Sequence, residues 1–338
     1  MVAAKANYSM VLASDNILWS AGQNNYGQLG TGDKVNRNKF TFVLSNITYV
    51  ACGNYHSLVI KEDDTLWAAG WNYYGQFGTG TNFDNTNQFI CVLSNVKYAD
   101  GGYSYTMAIK KDGTLWASGR NNNGQLGTGN NIDTNQFICV LSNVKYVACG
   151  DYYTLAIKED NTLWSAGQNN YGQLGTGDKV DRNQFTLVLS NVKYVTCGNY
   201  HALAIKEDDT LWAAGWNYYG QFGIGTNFDS TNHFICVLSN VKYVAAGYYH
   251  TMVIKKDGTL WATGQDQSGQ LGIGYGIDTN KFTFVLSKVK YVTCGDYHTI
   301  ITKEDKTPWV TGLNNYGQLG VGSSMSNLSS FVQAYLGN

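Results

Sequence analysis

Four histidines share one local context, Gly-x-x-His, at His56, His201, His250 and His298, and imidazoles at matching positions around a ring would suit a metal. Two further copies of that context carry Tyr105 and Tyr153, and phenols are poor substitutes as ligands. The pattern therefore reads as structural histidines bonded to backbone, while His233 stands alone in a loop. Acids recur too, with Asp33, Asp84, Asp133, Asp178, Asp229 and Asp278 in Asn-rich stretches. Calcium loops alternate Asp/Asn ligands and close on a Glu, which these stretches lack, so the carboxylates read as turn formers. The seven cysteines fall at repeat-equivalent positions, either before a glycine or within Phe-Ile-Cys-Val. An odd number without C-x-x-C argues against disulfides and zinc, and both contexts read as small apolar core positions in a reducing compartment. No G-x-S-x-G, phosphate loop, G-x-G-x-x-G or H-E-x-x-H is present. The residue chemistry points away from catalysis, and no cofactor or metal is expected.

Aromatic residues carry a different signal. The residue before each His-equivalent is Tyr55, Ser104, Tyr152, Tyr200, Tyr249 or Tyr297. Tyr103 and Tyr248 lie beside this position, and Trp71 and Trp216 occupy loops that two repeats alone share. Tyrosine and tryptophan join an apolar body to a polar tip, a combination enriched at protein interfaces. The same side chains with nearby Asn also suit stacking on sugars. Against both readings stands the simpler one, that these rings only pack against their neighbours.

The elements that must position these residues follow from composition and repetition. The chain has 338 residues, 43% hydrophobic but only 14% charged, with 39 glycines, 25 tyrosines and one proline, Pro308. That mixture suits many short strands joined by tight turns. The net charge of −1 and lysines placed beside acids, as in Lys61-Glu62-Asp63, disfavour direct nucleic-acid binding. No apolar run approaches the roughly 18 residues of a membrane span, and no basic-then-apolar leader opens the chain. A cytoplasmic, monomeric protein without membrane contact is expected.

Trp19, Trp67, Trp116, Trp164, Trp212, Trp261 and Trp309 share one context and are spaced 48, 49, 48, 48, 49 and 48 residues apart. Each is followed by Gly-Gln-Leu/Phe-Gly, as at Gly27-Gln28-Leu29-Gly30. A longer period of 145 relates Trp19, Trp67 and Trp116 to Trp164, Trp212 and Trp261, marking duplication of a three-repeat block. Within a repeat, runs such as Ala202-Leu203-Ala204-Ile205 read as strands buried on both faces. Asp112-Gly113 and Asp257-Gly258 read as hairpin turns with positive φ at both central residues. Four strands per repeat without helical periodicity predict an all-β, seven-bladed propeller of four-stranded antiparallel blades. It would span 1–338 as one domain, and the repeats are too long for a β-solenoid. Met1 to Ala4 align with Tyr49 to Cys52, and Ser330 to Val332 with Thr41 to Val43. The two end pieces are therefore expected to complete one shared blade, leaving no open edge.

The motif Gly-x-x-His-Ser/Thr, hairpin, Leu-Trp-x-x-Gly, Asn-x-x-Gly-Gln-Leu-Gly resembles the regulator-of-chromosome-condensation repeat. Gly53-Asn54-Tyr55-His56-Ser57, Gly295-Asp296-Tyr297-His298-Thr299 and Asn24 to Gly30 carry the likeness, which covers essentially the whole chain. The resemblance implies a propeller whose activities rest on features added to the ring. Nucleotide exchange on the GTPase Ran uses a wedge-like insertion, and chromatin docking uses a basic tail. The near-constant spacing and nearly uncharged N-terminus here show neither. The family's photoreceptor uses tryptophans where this chain has Asn54, Tyr103, Asp151, Asn199, Tyr248 and Asp296, so that activity is not expected. The combined reading is a non-catalytic scaffold presenting an aromatic face to a protein partner. Regulation of a small GTPase and glycan binding are the alternatives.

Overall fold

A computed structural model describes residues 1–227, 230–274, 276–324 and 326–337, so Asp229 of the Asn-rich set lies outside the described residues. The first repeat forms β1 (Val2–Lys5), β2 (Tyr8–Leu12), β3 (Leu18–Gly22) and β4 (Arg37–Leu44), antiparallel and in that spatial order. The second repeats the pattern with β5 (Ile47–Cys52), β6 (His56–Lys61), β7 (Leu66–Gly70) and β8 (Thr86–Leu93). Five more four-stranded sheets complete seven blades, as the repeats predict. Among the described residues, no helix is long and apolar enough to cross a membrane.

Burial follows the hydrophobic pattern. β6 is buried at every position but its last, because neighbouring blades cover both its faces. β8 is the outermost strand and exposes much of its length, while β5 lines the central cavity. The core lies between blades as much as within them. Leu58, Ile60, Leu66 and Phe77 of the second blade pack with Val96, Ala99 and Ala108 of the third. Each such side chain contributes about 1.5–3 kcal/mol when fully buried, so removing a blade would strip the face of the next. Trp67 packs against the first blade, and its indole donates to Thr65 Oγ1 at 2.7 Å under the Lys61 ammonium.

Three local expectations are corrected. Ring closure uses no shared blade: β1 to β4 and the strands of 289–333 are each complete sheets. The alignment of Met1 with Tyr49 holds, but Tyr49 belongs to the innermost strand, which opens a blade. The first and seventh blades pack side by side, and the C-terminal segment reaches the first blade through one parallel bridge, from Leu336 to Phe40 of β4. Ser9 Oγ donates to Gln318 O at 2.6 Å and Gly322 N to Asn38 O at 2.7 Å across that junction. These bonds match Ser57 to Gln28 O at 2.5 Å and Gly80 to Asn135 O at 2.7 Å elsewhere in the ring. Second, the Asp-Gly hairpins hold one left-handed residue, not two. Gly113 has φ 79° whereas Asp112 is not left-handed, and its carboxylate accepts the Thr114 N–H at 2.9 Å. This is a three-residue turn closed by a bulge. Third, Cys91, Cys139 and Cys236 are exposed on outermost strands, since only the inner side of such a strand meets the core. Cys52, Cys149 and Cys294 are buried, as expected.

Candidate partner-binding face

The loop joining the first two strands of a blade and the loop joining the last two open on the same end of the ring. In the second blade these are 53–55 and 71–85, and Trp71 N donates to Tyr55 O at 2.9 Å, binding one to the other. The longer loop is held from within. Asn72 Oδ1 accepts the Phe77 N–H at 2.9 Å, its amide donates to Thr81 O at 3.2 Å, and Gln76 Oε1 accepts the Tyr74 N–H at 3.1 Å. Asn and Gln thus satisfy backbone groups with no ladder partner. The Trp71, Tyr73 and Tyr74 rings are left projecting from a fixed frame.

All nine aromatic residues expected at this end lie there half-buried, in two clusters. Tyr55 contacts Trp71 at 5.5 Å and Tyr103 at 5.3 Å between ring centroids, and Tyr103 contacts Tyr152 at 5.3 Å. In the second cluster Tyr200 meets Trp216 at 5.5 Å and Tyr248 at 5.9 Å. Tyr249 lies 4.2 Å from Tyr248 and 5.1 Å from Trp216, and Tyr297 stacks on Tyr248 at 5.5 Å. Tyr26, Tyr73 and Tyr74 extend the first cluster, as Tyr171, Tyr218 and Tyr219 extend the second. Eight ring contacts of the first cluster are repeated at an offset of 145 residues, so the duplication laid down the patch twice. Among the differences between the copies, Ser104 stands where the other has Tyr249, and Arg120 where it has Gln265. The Arg120 guanidinium sits over Tyr74 and Tyr152, at 5.1 and 5.4 Å. Burial raises the phenol pKa of Tyr152 and Tyr297 to about 12, so these groups stay protonated donors.

The histidines serve the frame. His56 Nε2 lies 3.0 Å from Thr106 Oγ1 of the next blade, and His298 Nε2 lies 2.9 Å from Ser9 Oγ. The partner is a neighbouring hydroxyl, not the backbone as expected. Tyr105 and Tyr153, longer at the same position, reach backbone carbonyls instead, with Tyr105 Oη 3.0 Å from Gly150 O. Burial pushes His56, His201, His250 and His298 down to about 3. Of the acids in the Asn-rich loops, Asp33 forms the expected turn, accepting the Val35 N–H at 3.0 Å, whereas Asp133 instead accepts the Asn121 N–H at 2.7 Å across the loop, twelve residues away. Among the described residues, no group of three or more His, Cys, Asp or Glu is placed to hold a metal.

Models of the regulator of chromosome condensation (RCC1) repeat match residues 15–60, 112–157, 160–205, 208–254 and 257–302, and a second form of the repeat matches six segments between 47 and 318. The chain belongs to this family. Among solved structures it is similar to yeast RCC1 (Prp20) bound to Kap60, at 18% identity and TM-score 0.85 over 96% of this chain and 85% of that one. Human WBSCR16 is similar at 19% identity and TM-score 0.84, over 95% and 94% of the two chains. Saccharomyces cerevisiae Prp20p, described with its binding to Gsp1p and histones, matches at 19% identity and TM-score 0.85 over 96% and 87%. At these identities the likeness speaks for the RCC1 fold alone. No curated protein matches the chain in sequence.

Sequence reasoning missed a second set of residues, inside the channel of this RCC1-repeat ring. Tyr49, Tyr98, Tyr146, Tyr194, Tyr243 and Tyr291 surround the opposite mouth of a cavity of about 440 Å³. Successive rings from Tyr49 to Tyr243 are 4.8–5.1 Å apart. Deeper lie Lys5, Asp100 and Asp296. Lys5 stands where every other blade has glycine, and Asp100 where the others have Ala or Thr. The Lys5 ammonium donates to Gly101 O at 3.0 Å and Cys149 O at 2.6 Å, and Asp100 accepts the N–H groups of the same two residues. Desolvation raises Asp100 to about 6, with Lys5 opposing. Comparing repeats column by column for single exceptions was the signal that would have found them.

Proposed function

We propose that the chain is a non-catalytic binding scaffold whose 1–338 ring acts as one domain and offers its aromatic face to a partner protein. The observation carrying this reading is the two clusters of half-buried rings on loops pinned by buried Asn and Gln. Rings fixed before binding lose little conformational freedom on contact, which is what interface anchors require. Membership of a family whose solved members include protein complexes supports a partner of the same class. The test is affinity capture with wild type and with Tyr55, Tyr200, Tyr249 and Tyr297 all changed to Ala, the variant's fold being checked by its melting temperature. Loss of specific partners with the folded variant supports the reading, and unchanged capture removes it.

Family membership also favours a second reading, regulation of a small GTPase. It predicts faster nucleotide release from at least one member of a GTPase panel, and no acceleration removes it. Binding of glycans without protein partners would instead assign the rings to sugar stacking.

A further inference from the structure

One column of the repeat carries two acids at the neck of the channel, directly under the aromatic face. After the glycine of each Gly-x-x-His motif stand Asn54, Tyr103, Asp151, Asn199, Tyr248 and Asp296. Asp151 is only 5% exposed and Asn54 4%. The Asn199 amide donates to Asp151 Oδ2 at 2.6 Å. Two buried acceptors there have no partner, Asp151 Oδ1 and Asn54 Oδ1. A buried acceptor left unpaired costs about 1–3 kcal/mol, so each is a place for a donor. The charge is also unbalanced. Asp100, Asp151 and Asp296 lie near the Lys5 ammonium, which is already bonded to two carbonyls, and the other ammonium lining the cavity, the Met1 N-terminus, is bonded to Leu12 O. Burial, and after it the neighbouring Asp151, raise the proton affinity of Asp296. The cavity reaches this point, since Asn199 and Asp296 line it, and Tyr152 and Tyr297 of the aromatic face directly follow Asp151 and Asp296 in the chain.

We propose that this neck, between Asn54, Asp151, Asn199 and Asp296, binds an organic cation that donates N–H hydrogen bonds, an alkylammonium or alkylguanidinium group. Its charge answers the carboxylates, its N–H groups fill Asp151 Oδ1 and Asn54 Oδ1, and its alkyl chain extends along apolar and tyrosine surface. A quaternary ammonium brings the charge without the donors and is excluded on that ground. The cation is either a free amine entering by the cavity or a Lys or Arg side chain of a partner. Only the second source rests on the partner-face reading.

The test is calorimetry with n-butylammonium and N-butylguanidinium, using tetramethylammonium and n-butanol as controls. One-to-one binding of the first two is expected, weakened about tenfold or more by Asp151→Asn or Asp296→Asn. The controls are expected not to bind. A second readout, the carbon-13 carboxyl shift of Asp151 in wild type, moves on probe addition and does not depend on a variant folding. No saturable binding by the folded wild type, equal binding of tetramethylammonium, or an unmoved Asp151 carboxyl overturns the proposal. An acetyl-Gly-Lys-Gly-amide peptide that binds and is lost in Tyr152→Ala/Tyr297→Ala marks a partner's side chain as the source. Binding of the free amine alone, lost in Tyr146→Ala/Tyr194→Ala, marks a small molecule. Failure of partner capture leaves the small-probe result intact, so the two readings fail separately.

Discussion

An imidazole bonded to one hydroxyl in a dry site stays neutral, and this sets how the fold responds to acid. With folded values near 3 for His56, His201, His250 and His298, the unfolded chain, titrating near about 6.5, takes up protons first as pH falls. The stability these residues confer is complete above the unfolded value and is lost progressively between about 6.5 and 3. Urea midpoints are expected to fall across that window, and His201→Gln should flatten the slope. Asp296 acts with the opposite sign. Its folded value of about 7, raised mainly by burial, means the folded state holds the proton longer, so stability is lost as pH rises from the unfolded carboxyl range through 7. Asp296→Asn is expected to raise stability at pH 8 by roughly 1–3 kcal/mol and to change little at pH 4. An unchanged midpoint at pH 8 would mean the charge is neutralised in place. The hydroxyl partner has its own check: Thr106→Val strands His56 Nε2 and should cost about 1–3 kcal/mol, with Thr106→Ser restoring most of it. The equivalence of His56, Tyr105 and Tyr153 was legible as a column in the sequence. Their partners were not, because those lie one blade away and no local pattern encodes them.

At the scale of strands and loops, the repeat's glycines mark where blades meet. Gly30 has φ 70°, and the Phe89 ring of the next blade occupies the space its Cβ would fill. Gly113 is also left-handed, but a Cβ there would meet nothing closer than 3.9 Å. Gly113→Ala should therefore cost only the backbone term of about 1–2 kcal/mol. Gly30→Ala adds overpacking of about 1–3 kcal/mol, and thermal melts of the two variants should rank in that order. Equal shifts would show that Phe89 moves aside freely. Strand number and order were readable from the apolar runs and turn residues, whereas the phase of the blade was not. Met1 aligned correctly with Tyr49, yet only the structure shows that this position opens the innermost strand. The Phe-Ile-Cys-Val cysteines misled for a related reason, since an apolar run on an outermost strand looks like core until its neighbour is known.

Across the whole molecule, the two ends of the ring differ in kind. One carries the short and long loops with two related aromatic clusters. The other has hairpins such as Lys61 to Thr65 and the tyrosine-ringed mouth of the channel. The aromatic face was visible in the sequence because its residues repeat. The channel's Lys5 and Asp100 were not singled out as a site because each breaks the repeat, and Asp151 and Asp296, which recur at the 145-residue offset, were read only as positions lacking the photoreceptor's tryptophans. That the clusters are near copies at an offset of 145 residues predicts that neither alone suffices for a broad partner surface. Tyr55→Ala/Trp71→Ala and Tyr200→Ala/Trp216→Ala should each weaken capture, and the combined variant should abolish it.

The most direct measurement is hydrogen–deuterium exchange on the chain with its captured partner bound. The account predicts slowed exchange in the 53–55, 71–85, 102–104, 151–152 and 199–200 loops, with the 61–65 and 111–114 turns at the opposite end unchanged. Slowed exchange confined to those opposite turns, with the aromatic loops unaffected, would contradict it.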